Sequence, residues 1–219
     1  MKPIETRPLR ALDADEKERR RLQILQAAEQ LITEDRNRLP NVAQVAAAAG
    51  LAKGTVYLYF QSKEELLLSL HELHSQRFFD ELGVVLDREH VDFEAILDVT
   101  QRTILSVPAF MPLAGICLST LQNTISDEKQ TEYHRRSETW LAEAGEKLEK
   151  HYPQLPAGEG ASLLMRCYGL MFGLWQLMQP DCTGQATHRP KQLAMYQQNF
   201  FDEISIALRA MWTGHLGGR

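Results

Sequence analysis

Apolar side chains in this 219-residue chain recur at intervals of three and four residues almost throughout, and clean alternation is scarce. That spacing lays apolar groups along one stripe of an α-helix, whereas a half-buried strand needs a period of two. The chain is therefore expected to be all-α. A first helix is expected from near Asp13, where Asp13 and Glu16 have capping-box spacing, with Ile24, Leu25, Ala28, Leu31 and Ile32 on one face. Asn37, as a left-handed residue, and Pro40 should end it. Asn41 is a good N-cap for a short helix over 42–49, which Gly50 closes, and a third helix is expected from Lys53 to Phe60. Ser62 and Glu65 then have capping-box spacing at the head of a long helix through Leu66, Leu67, Leu70, Leu73 and Phe78. Further helices are expected near 91–106, 112–126, 128–151, 159–179 and 190–213, broken at Pro108 and Pro112, around Tyr152–Gly160, and from Gln179 to Pro190.

Charge enters because it bears on partners. There are 24 Lys and Arg against 29 Asp and Glu, a net charge of −5, which at first argues against a polyanionic partner. The charge is unevenly placed. Residues 1–75 carry 11 basic and 11 acidic groups and are neutral, so the whole excess lies beyond them. Between Arg36 and Lys63 there are four basic residues (Arg36, Arg38, Lys53, Lys63) and no acid, and such a window can approach phosphates without repulsion. Hydrophobic content of 44% and charged content of 24% exclude bulk disorder, and the length fits one large or two small domains. The N-terminus lacks the apolar core of a secretory signal. The longest uncharged run, Thr103–Ser126, contains Pro108, Pro112, Gln122 and Asn123 and makes a poor membrane span. Cys117, Cys167 and Cys182 have no paired spacing for a metal or a disulfide framework. A cytoplasmic protein without cofactor or metal is expected.

Residues 41–60 carry the functional signal. Two short helices meet at Gly50, and small residues Ala46–Ala49 stand where they must cross. Val45, Leu51 and Val56 are placed to pack the corner, as in a helix-turn-helix whose second helix enters the major groove. That helix offers Lys53, the backbone at Gly54, the Thr55 hydroxyl and the Tyr57 and Tyr59 phenols, with Lys63 just beyond. The stretch Ala-Ala-Gly-Leu-Ala-Lys-Gly-Thr-Val-Tyr-Leu-Tyr-Phe-Gln-Ser-Lys-Glu-Glu-Leu-Leu, residues 48–67, resembles the TetR family of bacterial transcriptional regulators. The resemblance covers about residues 18–78, with Arg20–Ile32 as the family's first helix; beyond it only the helical architecture matches. It departs at Arg36 and Asn37, where the family usually has Gly and an aromatic, and at Pro40, where Thr is common.

The resemblance implies an arm and helix start over 1–17, a helix-turn-helix DNA-binding domain over 18–78 (motif 41–60), and a helical ligand-binding and dimerisation domain over 79–219. Carried over by position, Tyr57 and Lys63 are phosphate contacts, with Asn41 and Thr55 as further backbone-facing candidates. Ala43, Lys53, Gly54 and Leu58 face base edges. Tyr59 is either a DNA contact or core, and Phe60 is expected in the core.

In the C-terminal part, Phe110, Met111, Leu113 and Ile116, then Met165, Tyr168, Met171, Phe172 and Trp175, then Tyr196 and Phe200, form soft apolar and aromatic surface suited to varied apolar ligands. Ordinary core is the alternative for each residue. Arg166, the one charge between Ser162 and Gln179, is a candidate anchor for a ligand carboxylate or a partner for a glutamate across a dimer. Leu163–Met178 is apolar nearly all round, with Gly169 and Gly173 permitting close approach, so helices 159–179 and 190–213 are expected to pack on their copies in a two-fold dimer. His71 and His74 have the spacing of one edge of a metal site but lack a third ligand, and a solvent- or partner-facing pair is expected. Cys117 and Cys167 are expected to be buried thiols and Cys182 the accessible one. No nucleophile–base motif or phosphate-cradling loop favours an enzyme. The expected function is a repressor that binds palindromic operator DNA as a homodimer and is released by a small apolar or amphipathic effector, with no membrane involved. The alternatives are a DNA-associated structural or cell-division factor without an inducer, and a thiol-responsive regulator.

Overall fold

The structure, a computed structural model, describes residues 9–35, 38–178 and 199–217. Every regular element among them is helical: α1 (Leu9–Glu34), α2 (Val42–Ala48), α3 (Lys53–Tyr57), α4 (Lys63–Leu86), α5 (Phe93–Thr100) continued by a π-helical turn (Gln101–Leu105), α6 (Phe110–Thr124), α7 (Asp127–His151), α8 (Glu159–Met178) and α9 (Phe200–Gly217). None of these helices is long and apolar enough to cross a membrane. The chain divides into two compact units, Met1–Leu70 and His71–Arg219.

In the first unit α1 starts four residues before the expected Asp13 cap, so Asp13 lies inside the helix. Leu9, Ala11 and Leu12 are good helix formers and nothing between them and Asp13 breaks a helix. Residues 1–8 of the expected arm, and the expected turn residue Asn37 with its neighbour Arg36, lie outside the described residues. Asn41 caps α2 through a full capping box. Its side chain accepts the Gln44 N–H at 3.0 Å, while the Gln44 side chain accepts the Asn41 N–H at 2.9 Å. Gly50 takes φ +66°, the left-handed turn that only glycine adopts without strain. The third helix is shorter than the expected 53–60 and stops at Tyr57, with Leu58 as its C-cap. Ser62 Oγ accepts the Glu65 N–H at 3.0 Å, but Glu65 reaches past the cap to the Gln61 N–H at 2.8 Å. Ile24, Leu25, Ala28, Ile32, Val45, Val56, Phe60, Leu66, Leu67 and Leu70 are all buried.

In the second unit Asp92 caps α5 by accepting the Ala95 N–H at 2.9 Å. The π turn shows in the Ser106 N–H, which donates to the carbonyl five residues back, Gln101, at 2.8 Å. Pro108 lies between helices, whereas Pro112, expected to be a break, stands in the first turn of α6, where its missing N–H is not needed. Two apolar clusters form. One joins Leu82, Val85 and Leu86 of α4 to Ile96, Val99, Leu148, Leu163 and Trp212; the other joins Leu97, Ile104, Phe110 and Met111 to Met171, Trp175, Ile204 and Leu208.

The tightest packing is between α7 and α8. A methyl on Gly145 would overlap the Ala161 backbone nitrogen and lie 2.9 Å from its Cα. A methyl on Gly160 would overlap the Gly145 carbonyl oxygen and lie 2.9 Å from its carbon. The Gly160 N–H is capped by Glu149 at 2.9 Å. Replacing helical Gly with Ala ordinarily gains about 1 kcal/mol. Overpacking against backbone costs about 1–3 kcal/mol. The clash wins here, and Gly160→Ala is expected to destabilise by about 1–2 kcal/mol in urea unfolding; a stabilised variant would show that the helices can part without cost.

Candidate functional site

The helix-turn-helix presents a short outward face. Val56 and Phe60 are buried, which turns Lys53, Gly54, Tyr57 and Leu58 to solvent, Tyr57 at 44% and Leu58 at 78% exposure. A leucine side chain this exposed buries little apolar surface in its own chain. The Lys53 ammonium lies 5.8 Å from the Tyr57 ring centroid, so a cation and a phenol share one patch. Gly54 has open space where a Cβ would project, so backbone can come close to a partner there. Asn41 and Ala43 are exposed on the flank of α2, Thr55 and Tyr59 are half-buried, and Lys63 opens α4 half-buried. Two contacts hold this platform. The Gln23 amide donates to the Ala49 carbonyl at 2.9 Å, tying α1 to the turn, and the Arg21 guanidinium lies 5.7 Å from the Phe60 ring centroid.

The second unit encloses a cavity of about 400 Å³, within the range of small-molecule sites. α4 contributes His71, Ser75, Phe78 and Phe79; α5 contributes Phe93, Ile96, Leu97 and Thr100, followed by Ile104 of the π turn. α6 adds Phe110 and Cys117; α7 adds Tyr133, His134, Ser137, Trp140 and Leu141. α8 supplies Leu164, Met165, Cys167, Tyr168 and Met171, and α9 supplies Leu208 and Trp212. His71 is buried, its Nδ1 lies 3.3 Å from the Tyr133 hydroxyl, and its ring packs 5.0 Å from that of Phe110. Burial, aided by repulsion from His74, holds the His71 imidazole down to about 3. Burial raises the Tyr133 and Tyr168 phenols, and it pushes the thiols of Cys117 and Cys167 up to about 12 and about 11. These thiols are therefore poor nucleophiles near neutrality.

A model for bacterial regulatory proteins of the tetR family matches residues 24–70, and one for the tetracyclin repressor-like C-terminal domain matches 72–219. The chain belongs to the TetR family. It is 33% identical to the fatty acid metabolism regulator protein of Bacillus subtilis (strain 168) over 95 residues, 43% of this chain and 45% of that protein. It is 30% identical to the uncharacterized HTH-type transcriptional regulator YvdT of the same strain over 119 residues, 54% of this chain and 61% of that one. The match thus spans about half the length of these curated relatives. In fold it is similar to the fatty acid degradation regulator FadR from Bacillus halodurans, with TM-score 0.57 at 19% identity over 88% of this chain and 94% of that one. It is also similar to SmeT, the repressor of the Stenotrophomonas maltophilia multidrug efflux pump SmeDEF, with TM-score 0.52 at 19% identity over 89% of each chain.

Of the residues expected to bind a ligand, this TetR-family chain brings Phe110, Met165, Tyr168 and Met171 to the cavity. Met111, Ile116 and Phe172 each sit one residue from a lining position, about 100° around the helix, and do not line it. Trp175 is buried one turn beyond Met171, stacked on Phe172 at 6.2 Å between centroids, and Phe200 packs on the second apolar cluster; neither reaches the cavity. Arg166 is exposed and bonds Glu159 of its own chain at 3.1 Å, so it anchors nothing in the cavity. Tyr196 and Cys182 lie outside the described residues. His71 and His74, expected at a surface, are both buried, because they share a face of α4 with buried Leu67, Leu70 and Leu82. The lining from α4, α5 and α7 was missed. On α7 its signal was present in Tyr133 and Trp140, two aromatics seven residues apart in an otherwise polar helix, and on α4 in the aromatic pair Phe78 and Phe79.

Because the unfolded histidine takes its proton near pH 6.5 and the folded one only near 3, the unfolded state binds more protons in between, so stability falls as pH drops through that window. Between pH 7.0 and 5.5 this one group should remove about 1 kcal/mol of stability. Urea titrations at the two pH values check it, and His71→Gln should lose correspondingly less.

Proposed function

We propose that this protein is a ligand-responsive transcriptional repressor. On this reading it binds palindromic operator DNA as a homodimer and lets go when a small apolar effector occupies the cavity of the second unit. The observation that carries the DNA half is the exposed Lys53–Gly54–Tyr57–Leu58 face, in a 28-residue window from Arg36 to Lys63 without an acid. Leu58 and Ala43 are suited to thymine methyls, Lys53 and the Gly54 backbone to guanine acceptors, and Asn41, Thr55, Tyr57, Tyr59 and Lys63 to phosphates. Asn41 spends its side-chain oxygen on the helix cap, which leaves its amide N–H groups for a phosphate.

Support for the dimer comes from α8 and α9. Met165, Leu177 and Ile206 are 59%, 57% and 63% exposed on a single chain, and Gly169 and Gly173 have open space beside them. Apolar surface of that kind fits an isologous four-helix interface. Two recognition helices must then stand roughly 34–36 Å apart to read half-sites one turn apart. In the family mechanism an effector shifts α4 and changes that spacing. α4 bears on both ends of such a device: Lys63 begins it, and His71, Ser75, Phe78 and Phe79 line the cavity. A coupling of about 1–3 kcal/mol weakens DNA binding roughly 5–150-fold. The B. subtilis fatty acid metabolism regulator and the efflux-pump repressor SmeT fit a regulator of this kind. Cys117 is buried and Cys167, expected to be buried, is half-buried; both thiols are held high and are poor candidates for a switch, while Cys182, the thiol such a switch would use, lies outside the described residues. The cavity counts against a scaffold that needs no inducer.

The test is a gel shift with DNA from upstream of the protein's own gene. A specific complex is expected whose log affinity falls linearly with log salt. Lys63→Ala should weaken it on every sequence and lower that slope by about 2 for a dimer, one phosphate per subunit. A protein that shows only sequence-independent binding would not be this repressor.

A further inference from the structure

Resting on the reading of the cavity as an effector site, the structure assigns the effector's charge class: we infer that the cavity takes an uncharged, mainly apolar molecule whose single hydroxyl or carbonyl oxygen bonds His71 Nε2. Among the described residues the lining contains no Lys, Arg, Asp or Glu. Arg166, the nearest cation by sequence, is committed to Glu159 outside it. Glu72, next to His71 in the chain, is ion-paired with Arg136 at 3.0 Å. The field of Glu72 reaches Tyr133 and Cys117, where it opposes negative charge on both. Apart from the His134 imidazole, no described lining residue offers a counter-charge, so a carboxylate or an ammonium entering here would leave water with little to replace its hydration, and one hydrogen bond does not offset that loss.

The polar groups present are of the kind that serves a neutral oxygen. His71 is buried to 3% exposure, and its Nε2 has no hydrogen-bond partner among the described residues. Its Nδ1 is held by the Tyr133 hydroxyl at 3.3 Å. Burial keeps the ring neutral, so it supplies no positive charge to an anion. When Tyr133 donates to Nδ1, Nε2 carries the proton and donates to a carbonyl or hydroxyl oxygen; in the other tautomer Nε2 accepts from a hydroxyl. An alcohol satisfies both. Thr100, also on the lining, already donates its hydroxyl to the Ile96 carbonyl at 2.9 Å and competes little for the ligand. A buried nitrogen left unpaired is costly, so occupying it discriminates strongly between ligands that have the oxygen and those that lack it.

The experiment is calorimetric binding of 1-decanol, decanoate, decylammonium and 1-chlorodecane to the full chain at pH 7.5. Decanol is expected to bind at least about tenfold more tightly than either ion. His71→Phe should cost decanol about tenfold and leave 1-chlorodecane unchanged. Tyr133→Phe, which frees the imidazole without removing it, should cost decanol less; it also serves if the His71 variant does not fold, which thermal melting reports. Decanoate binding as tightly as decanol, or decanol binding unaltered in both folded variants, overturns the charge assignment while the effector reading stands. If none of the four binds a folded chain that still shifts DNA, the effector reading falls and takes this assignment with it.

Discussion

Backbone lies directly on backbone where α7 crosses α8 at Gly145 and Gly160, and the second unit depends on that contact. α7 is a strongly polar helix, with only Ala144, Gly145 and Leu148 fully buried, so it has little apolar surface with which to hold a place in a bundle. A close approach compensates, because dispersion between backbones at contact distance does not need large side chains. Near the loop that joins the two helices their backbones are in contact. Farther along, the same pair supplies Tyr133, Ser137 and Trp140 from one helix and Tyr168 and Met171 from the other to the cavity wall. A large residue at the crossing would displace α7 and move those polar groups away from His71.

The Gly50 turn has a comparable role in the first unit. Gln23 binds the carbonyl at the end of α2, and Phe60 sits beneath Arg21, so α1 braces both helices of the motif. With Val45, Val56 and Phe60 buried, the exposed side of the five-residue α3 follows from the helical period alone. The unit buries most of its apolar residues and leaves Leu58 out. That is a local departure from what folding favours, of the kind expected where a surface is kept for a partner.

How legible each part was in the sequence follows from these constraints. Asn41, Gly50 and Ser62 have chemical reasons to stand where they do, and the turns they mark were readable; the start of α1 at Leu9 and the end of α3 at Tyr57, which no such residue marks, were not. The second was readable as helices and not as a cavity. Period 3.6 separates inward from outward positions, but Met111 in solid core and Phe110 on the cavity wall are both simply inward. His71 and His74 were misplaced because polarity in sequence suggests a surface, and only neighbours sixty residues away, Tyr133 above all, make a buried imidazole tolerable. Arg166 was ambiguous for the opposite reason: its partner Glu159 lies two turns back on the same helix, at a spacing of seven rather than the usual three or four.

The π turn at Gln101–Leu105 has no sequence mark, because Gln-Arg-Thr-Ile-Leu would extend an ordinary helix equally well. Geometrically it is one residue more than the helix needs. Up to Thr100 the helix keeps its own phase; after the extra residue everything downstream is turned by about 100°. On this turn Ile104 meets the cavity, and Arg102 reaches Glu81 at 2.5 Å and, at the ordinary i,i+4 spacing, Asp98 at 3.0 Å. Removing one residue from this turn would therefore present a different residue to the cavity without substituting any lining side chain.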